Sequence, residues 1–171
     1  GEHAVGLAGE FGIDAGVDLL TDEKRQRYED EDPPRGGPRA HLDWLATRFG
    51  SGDDQAGGRS ERDVPDHDTV GAVAADGETF AAATSTGGRS FALAGRVGDV
   101  PQVGSGFFCT EAGGASATGA GEDIARVTLS RRAVGYLAEG LGAQQAAERA
   151  VDEFEEITGS GAGVIVLGEG E

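Results

Sequence analysis

Hydrophobic spacing changes period twice along the chain. Thr21 is placed to cap a short charged helix running to about Glu29, and Asp32-Pro33-Pro34-Arg35-Gly36-Gly37 stops it. Pro38 then opens a second helix, on which Leu42, Leu45, Ala46 and Phe49 share one face and Trp44 falls at its edge. From 50 to 68 the pattern dissolves into Gly, Ser, Asp and Arg, the composition of a linker. It resumes with period two. Val70–Ala75 and Thr79–Ala83 alternate small and apolar residues around Asp76-Gly77, which predicts a hairpin with a two-residue turn. A turn centred there sets Thr69 opposite Thr84. Side chains repeat every second residue on a strand face, so Thr69, Thr84 and Thr86 crowd one face at one hairpin end, with Ser85 turned away. Arg89–Ala94 reads as a loop, and Val103–Phe108 and Ala112–Ala117 as strands poor in bulk. Helical spacing returns over Glu122–Glu139, where Ile124, Val127, Val134 and Leu137 align. It continues over about Ala143–Ile157, with Ala147, Ala150, Val151, Phe154 and Ile157 inward. A final strand is expected at Val164–Leu167. Small-residue strands followed by two long helices make the fold class α/β.

Composition narrows the functional classes. The 171 residues suffice for one domain with a real core. Asp and Glu number 31 against 14 Lys and Arg, a net charge of −17, which argues against nucleic acid or an anionic membrane surface as partner. A single lysine (Lys24), no methionine and abundant Ala and Gly suit a protein kept soluble in concentrated salt, hence a salt-loving source. An ordinary acidic cytosolic protein is the plainer alternative. The lone Cys109 excludes an intrachain disulfide and reads as a small buried hydrophobe. No apolar run approaches the length that spans a bilayer, no leader is visible, and a cytoplasmic location is expected.

Several groups carry candidate chemistry. Asp63, Asp66, His67 and Asp68 cluster in sequence, but nothing regular fixes their geometry, so no metal site is expected. Thr118-Gly119-Ala120-Gly121 opens a helix and exposes backbone N–H groups that favour negative charge, either phosphate or oxyanion. It lacks the lysine of a P-loop, and Gly159-Ser160-Gly161-Ala162-Gly163 precedes its strand, a weak nucleotide signal. Arg96 and Asp99 offer a cation and an anion in a glycine-bearing loop, complementary to the two ends of an α-amino acid. Pairing with each other at the surface is the plainer reading of the same residues.

Four motifs in order, DTVGAVA from Asp68, AAATSTGG ending at Gly88, GRVGD at Gly95–Asp99 and TGAGE at Thr118–Glu122, resemble the asparaginase and isoaspartyl-peptidase family of N-terminal-nucleophile hydrolases, which includes the glycosylasparaginases. The resemblance runs from about His67 to Leu167 and is faint before it, at Gly1–Val5 and Arg27–Glu29. It implies a four-layer αββα sandwich, of which this chain, reading as truncated at both ends, holds part. Residues 1–49 would end an α subunit, 50–68 would lead to self-cleavage between Asp68 and Thr69, and 69–171 would form an incomplete β subunit. Thr69 would be the nucleophile, Thr86 would tune it, and Thr118 with the Gly119 N–H would bind the oxyanion. Arg96 would hold the substrate carboxylate, and Asp99 with Gly121 its amine. No cofactor is implied. The substrate would be asparagine or a β-aspartyl dipeptide, and the cleaved chains would form an α/β heterodimer that pairs into a heterotetramer. Ala94 and Val100 depart from the family's usual proline and small hydroxyl residue. Asp68 resembles the glycosylasparaginase branch, whereas Gly87-Gly88 and TGAGE resemble the asparaginase and isoaspartyl-peptidase branch. That leaves the choice among asparagine, β-aspartyl peptides and glycosylated asparagine open. A non-catalytic acidic pseudoenzyme and a small-ligand binding module stay open beside the enzyme.

Overall fold

The computed structural model describes residues 2–14, 18, 20–49, 69–89, 91–93 and 95–170. The expected linker, with Asp68 and the Asp63–Asp68 cluster, lies outside them. The chain divides into two compact units, Gly1–Gly52 and Asp53–Glu171.

The first unit holds helices α1 (Glu2–Glu10), α2 (Asp22–Glu31) and α3 (Pro38–Phe49). Thr21 caps α2 as expected, its hydroxyl accepting from the Lys24 N–H at 3.3 Å, and Asp32 ends the helix in the left-handed region. On α3, Trp44 is half-buried and meets His41 edge to face, with ring centroids 5.7 Å apart. The expected apolar face is only partly used: Leu45 is half-buried, whereas Leu42 and Ala46 are exposed.

The second unit is layered. Strands β1 (Val70–Ala75) and β2 (Phe80–Ser85) form an antiparallel hairpin. Strands β3 (Phe107–Thr110), β4 (Gly113–Gly119) and β5 (Ala162–Gly168) form an antiparallel sheet with β4 in the centre. The hairpin packs on that sheet, and helices α4 (Gly121–Val127), α5 (Leu129–Ala138) and α6 (Ala143–Thr158) pack on it too. Alternation along β4 separates the two contacts. Ala115 and Ala117 join Ile124, Leu129, Val134, Ala150 and Phe154 in the core, whereas Gly114 and Ser116 lie against Val73 and Gly71 of the hairpin. Small residues on both faces of β4 let the layers approach closely. A Cβ on Gly114 would stand 2.6 Å from the Val73 side chain, and one on Gly113 would stand 2.4 Å from that of Leu137. The unit is thus α/β, built from helices and antiparallel sheets. Among the described residues no helix is long and apolar enough to cross a membrane.

Four local expectations are corrected. The two-residue turn is centred on Gly77-Glu78 instead of Asp76-Gly77: the Asp76 N–H donates to Thr79 O at 3.3 Å, and the Asp76 carboxylate accepts from the Glu78 and Thr79 N–H groups at 3.0 and 2.8 Å. Ala75 therefore pairs with Phe80 and Gly71 with Thr84, so Thr69 lies level with Thr86 and not with Thr84. The slip is by two residues, which keeps every side chain on its expected face. The single helix expected over Glu122–Glu139 is broken at Thr128, which adopts φ 56° and closes α4 through its N–H to Ile124 O at 2.8 Å. The break lets both Val127 and Leu129 be buried, two positions that an unbroken helix sets on opposite faces. On α6 the buried stripe is Ala146, Ala150 and Phe154. Ala147 and Val151 are half-buried, and Ile157 is exposed. The strand expected from Val103 begins at Phe107, after a buried turn at Gly104–Gly106.

Candidate active site

Two groups of the expected residues are formed. In the first, Thr69 Oγ1 donates to Thr86 Oγ1 across the hairpin end at 3.2 Å, and the Thr86 oxygen also accepts from the Gly88 N–H at 3.1 Å. The strand ladder places the pair. β1 and β2 bring residues 69 and 86 level, and the turn to Gly88, at φ 96°, folds the chain back over the Thr86 hydroxyl. Thr69 is half-buried and Thr86 exposed, so the end of the hairpin is open to a ligand.

The second group gathers Arg96, Asp99, Gly121 and Glu122. The Arg96 Nε donates to Glu122 Oε1 at 2.8 Å, an ion pair that raises the basicity of the arginine and holds the Glu122 carboxyl below the usual range. The outer nitrogens of the guanidinium lie over Gly98 and toward Gly121. A Cβ on Gly121 would stand 2.7 Å from Asp99 Oδ1 and 3.0 Å from Arg96 Nη2, so glycine there is what lets the three converge. Asp99 is 7% exposed, and burial pushes its carboxyl up, against the pull of nearby backbone N–H groups and Arg96. The plainer reading of Arg96 and Asp99 as a surface pair does not hold. The arginine's ion pair is with Glu122, and the aspartate is buried.

Thr118 and Gly119 end β4. Gly119 takes φ 145°, and a Cβ there would stand 2.8 Å from Gly161 O. The side-chain polar atoms buried without a hydrogen-bond partner among the described residues are Asp99 Oδ2 and Thr118 Oγ1. Packing across the layers relates Thr118 to the first group. Gly71 lies on Ser116 and Val73 on Gly114, so β1 and β4 run in opposite senses across the interface, and one strand repeat outward leads from Gly71 toward Thr69 and from Ser116 toward Thr118.

The asparaginase family model matches residues 1–170. The chain belongs to that family. Among the chain's relatives, the plant-type L-asparaginase of Pyrococcus abyssi is 48% identical over 84 residues, covering 49% of this chain and 28% of the relative. A probable isoaspartyl peptidase/L-asparaginase of Drosophila melanogaster is 40% identical over 107 residues, covering 61% and 32%. The N(4)-(β-N-acetylglucosaminyl)-L-asparaginase of Elizabethkingia miricola is 36% identical over 96 residues, covering 55% and 28%. The matched part of the chain thus spans less than a third of the length of each of these relatives.

Reading the sequence alone named each threonine but missed two partners. Glu122 ends the TGAGE motif, but its ion pair with Arg96 joins residues 26 apart in sequence, which spacing along one element does not reveal. Ser116 lies two residues before Thr118 on the same strand face, the parity that would have drawn attention to it.

Proposed function

We propose that the complete protein is an amidohydrolase that cleaves the side-chain amide of asparagine or of β-aspartyl dipeptides to give aspartate, with Thr69 as nucleophile after self-cleavage between Asp68 and Thr69. The observation that carries this reading is the pair of buried oxygens without partners, Asp99 Oδ2 and Thr118 Oγ1. Orphaned buried polar atoms are costly, and a substrate ammonium at the first and a tetrahedral oxyanion at the second would remove the cost.

Thr69 freed at its N-terminus would carry an α-amine of reference pKa about 7.7–8.0. That amine accepts the hydroxyl proton near neutral pH, directly or through water, and the hydroxyl attacks the side-chain carbonyl. Thr86 Oγ1, which accepts from Thr69 Oγ1, holds the nucleophile in place. The Thr118 hydroxyl and the Gly119 N–H donate to the oxyanion, and one such donor typically contributes about 2.7–4 kcal/mol. Collapse of the intermediate, with the amine proton passing to the leaving group, releases ammonia or an amine and leaves an ester on Thr69. Water then opens the ester to aspartate. Arg96, oriented by Glu122, takes the substrate α-carboxylate, while Asp99 with Gly121 takes the α-amine.

In this reading residues 1–49 end an α subunit, 50–68 form the linker and 69–171 belong to the β subunit. The two sheet layers and their helices would be three layers of an αββα sandwich, and the cleaved chains would form an α/β heterodimer able to pair into a heterotetramer. Asp68 and the similarity to a glycosylasparaginase favour glycosylated asparagine as a second substrate to assay.

N-terminal sequencing and intact mass of the full-length protein test the reading. We expect a chain beginning at Thr69, Thr69→Ala uncut and inactive, and Thr69→Ser cut slowly with some activity. A fully active enzyme with residues 68 and 69 still joined would remove the mechanism. Arg96→Ala should raise KM for asparagine with a smaller change in kcat, because it holds the non-reacting end. Unchanged kinetics would reject its role.

A further inference from the structure

Beneath the open hairpin end lies a set of contacts that the reaction itself does not use. Thr84 Oγ1 donates to Gly106 O at 2.9 Å and lies 2.5 Å from Ser116 Oγ. A hydroxyl has one proton, so with Thr84 donating to the carbonyl, Ser116 donates to Thr84. Ser116 is buried, at 4% exposure. Over it sits Gly71, where a Cβ would stand 2.2 Å from the serine oxygen and 2.8 Å from its Cβ. The serine therefore fills a slot that only glycine leaves open.

Parity gives these residues their meaning. Gly71, Thr84 and Ser116 each lie two residues from Thr69, Thr86 and Thr118, which is one repeat along the same strand face. Each reactive threonine extends outward from one member of this set. The set also reaches the substrate-holding loop. Gly106 O accepts from Thr84 Oγ1 and from the Ala117 N–H at 2.9 Å, while the Gly106 N–H donates to Asp99 O at 3.1 Å. One residue thus joins the hairpin, β4 and the Asp99 backbone.

Resting on the reading of Thr69 as nucleophile, we propose that Thr84 and Ser116, seated under Gly71, are positioning residues that lock the hairpin, β4 and the Asp99 loop in one register, so that the three reactive threonines meet. None of them touches the reacting atoms. They act through the strand ends that they fix, where displacements of about 1 Å cost about a hundredfold in rate.

The test uses full-length protein carrying Thr84→Val, which keeps the side chain's shape and removes the hydroxyl, Thr84→Ser, which restores the hydroxyl, and Ser116→Ala. Self-cleavage, kcat and KM are measured for each. Hydrogen exchange over residues 69–75, 104–110 and 114–119 is measured in the uncut Thr69→Ala background. We expect Thr84→Val and Ser116→Ala to slow self-cleavage and lower kcat about tenfold to a hundredfold with KM within about threefold. Exchange should be faster in those segments with the unfolding midpoint little changed, and Thr84→Ser should recover most of both. Unchanged exchange in both hydroxyl-deleting variants overturns the lock, whatever the kinetics. Faster exchange in the hydroxyl-deleting variants, with a wild type that is itself inactive, supports the lock and rejects the assigned reaction instead. If Thr84→Val fails to fold, Ser116→Ala carries the same readouts, and Gly71→Ala, whose Cβ would meet the serine side chain, should slow self-cleavage and speed exchange in the same segments. Gly71→Ala with unchanged self-cleavage and unchanged exchange overturns the proposal.

Discussion

Burial lifts the Asp99 carboxyl above the ordinary carboxylate range, because one of its oxygens has no hydrogen bond to replace lost water. A raised native pKa means that the protonated form favours the fold. Its contribution is full below the usual value near 3.8 and is lost as pH rises through the raised value. Asp99→Asn should therefore raise the melting temperature at pH 7, an advantage that shrinks as the pH is lowered toward that value. The same change should weaken substrate binding, since a hydrogen bond to a charged group contributes about 1.5–3 kcal/mol, or roughly tenfold to a hundredfold in KM. A variant with normal KM would reject Asp99 as the ammonium partner. Glu122→Gln removes the charge that aims Arg96. Because Glu122 is well exposed, the expected rise in KM is small, up to about fivefold. It should be smaller than that of Arg96→Ala, and kinetics on the two variants side by side would show it.

Among the elements, the junction of α4 and α5 departs furthest from local preference. Thr128 is β-branched and sits at φ 56°, a region that costs an L-residue about 1–2 kcal/mol. Thr128→Gly should stabilise the protein by about 1 kcal/mol, read from the denaturant midpoint, and a loss of stability would show that the Thr128 hydroxyl bond to Val127 O outweighs the backbone strain. This break was not legible in the sequence, where Ile124 to Leu137 keep a helical spacing. Burial of both Val127 and Leu129 overrides it. The hairpin was legible in its strands and in the face each residue takes. Its turn centre was not, because the Asp-Gly signal concerns backbone angles, whereas the Asp76 side chain captures two N–H groups and the turn sits one residue on, at Gly77-Glu78. The site divides in the same way. Ordered motifs named Thr69, Thr86, Arg96, Asp99, Thr118, Gly119 and Gly121, but the Arg96–Glu122 pair and the contacts of Ser116 depend on chain segments meeting across layers.

The net charge of −17 belongs to the molecule as a whole. Acids dominate exposed surfaces such as α6, where Glu148, Asp152, Glu155 and Glu156 all face solvent. Their repulsion reaches about 10 Å at 0.1 M salt and about 3 Å at 1 M, so the melting temperature of the full-length protein should climb between those two concentrations of potassium chloride. A flat response would reject the salt-adapted reading. The layered arrangement also dictates an order of events. A hairpin such as β1–β2 is local in sequence and closes in about 1–10 μs, but β4, which brings Ser116 and Thr118, lies far downstream and must wait for a slower, non-local pairing. Thr69 thus meets Thr86 early, and β4 comes beneath it only when the sheet is complete. Scission at residue 69 would then act as a clock for folding: newly made chains would stay whole while the sheet assembled, and the cut fraction at any moment would count those that had finished.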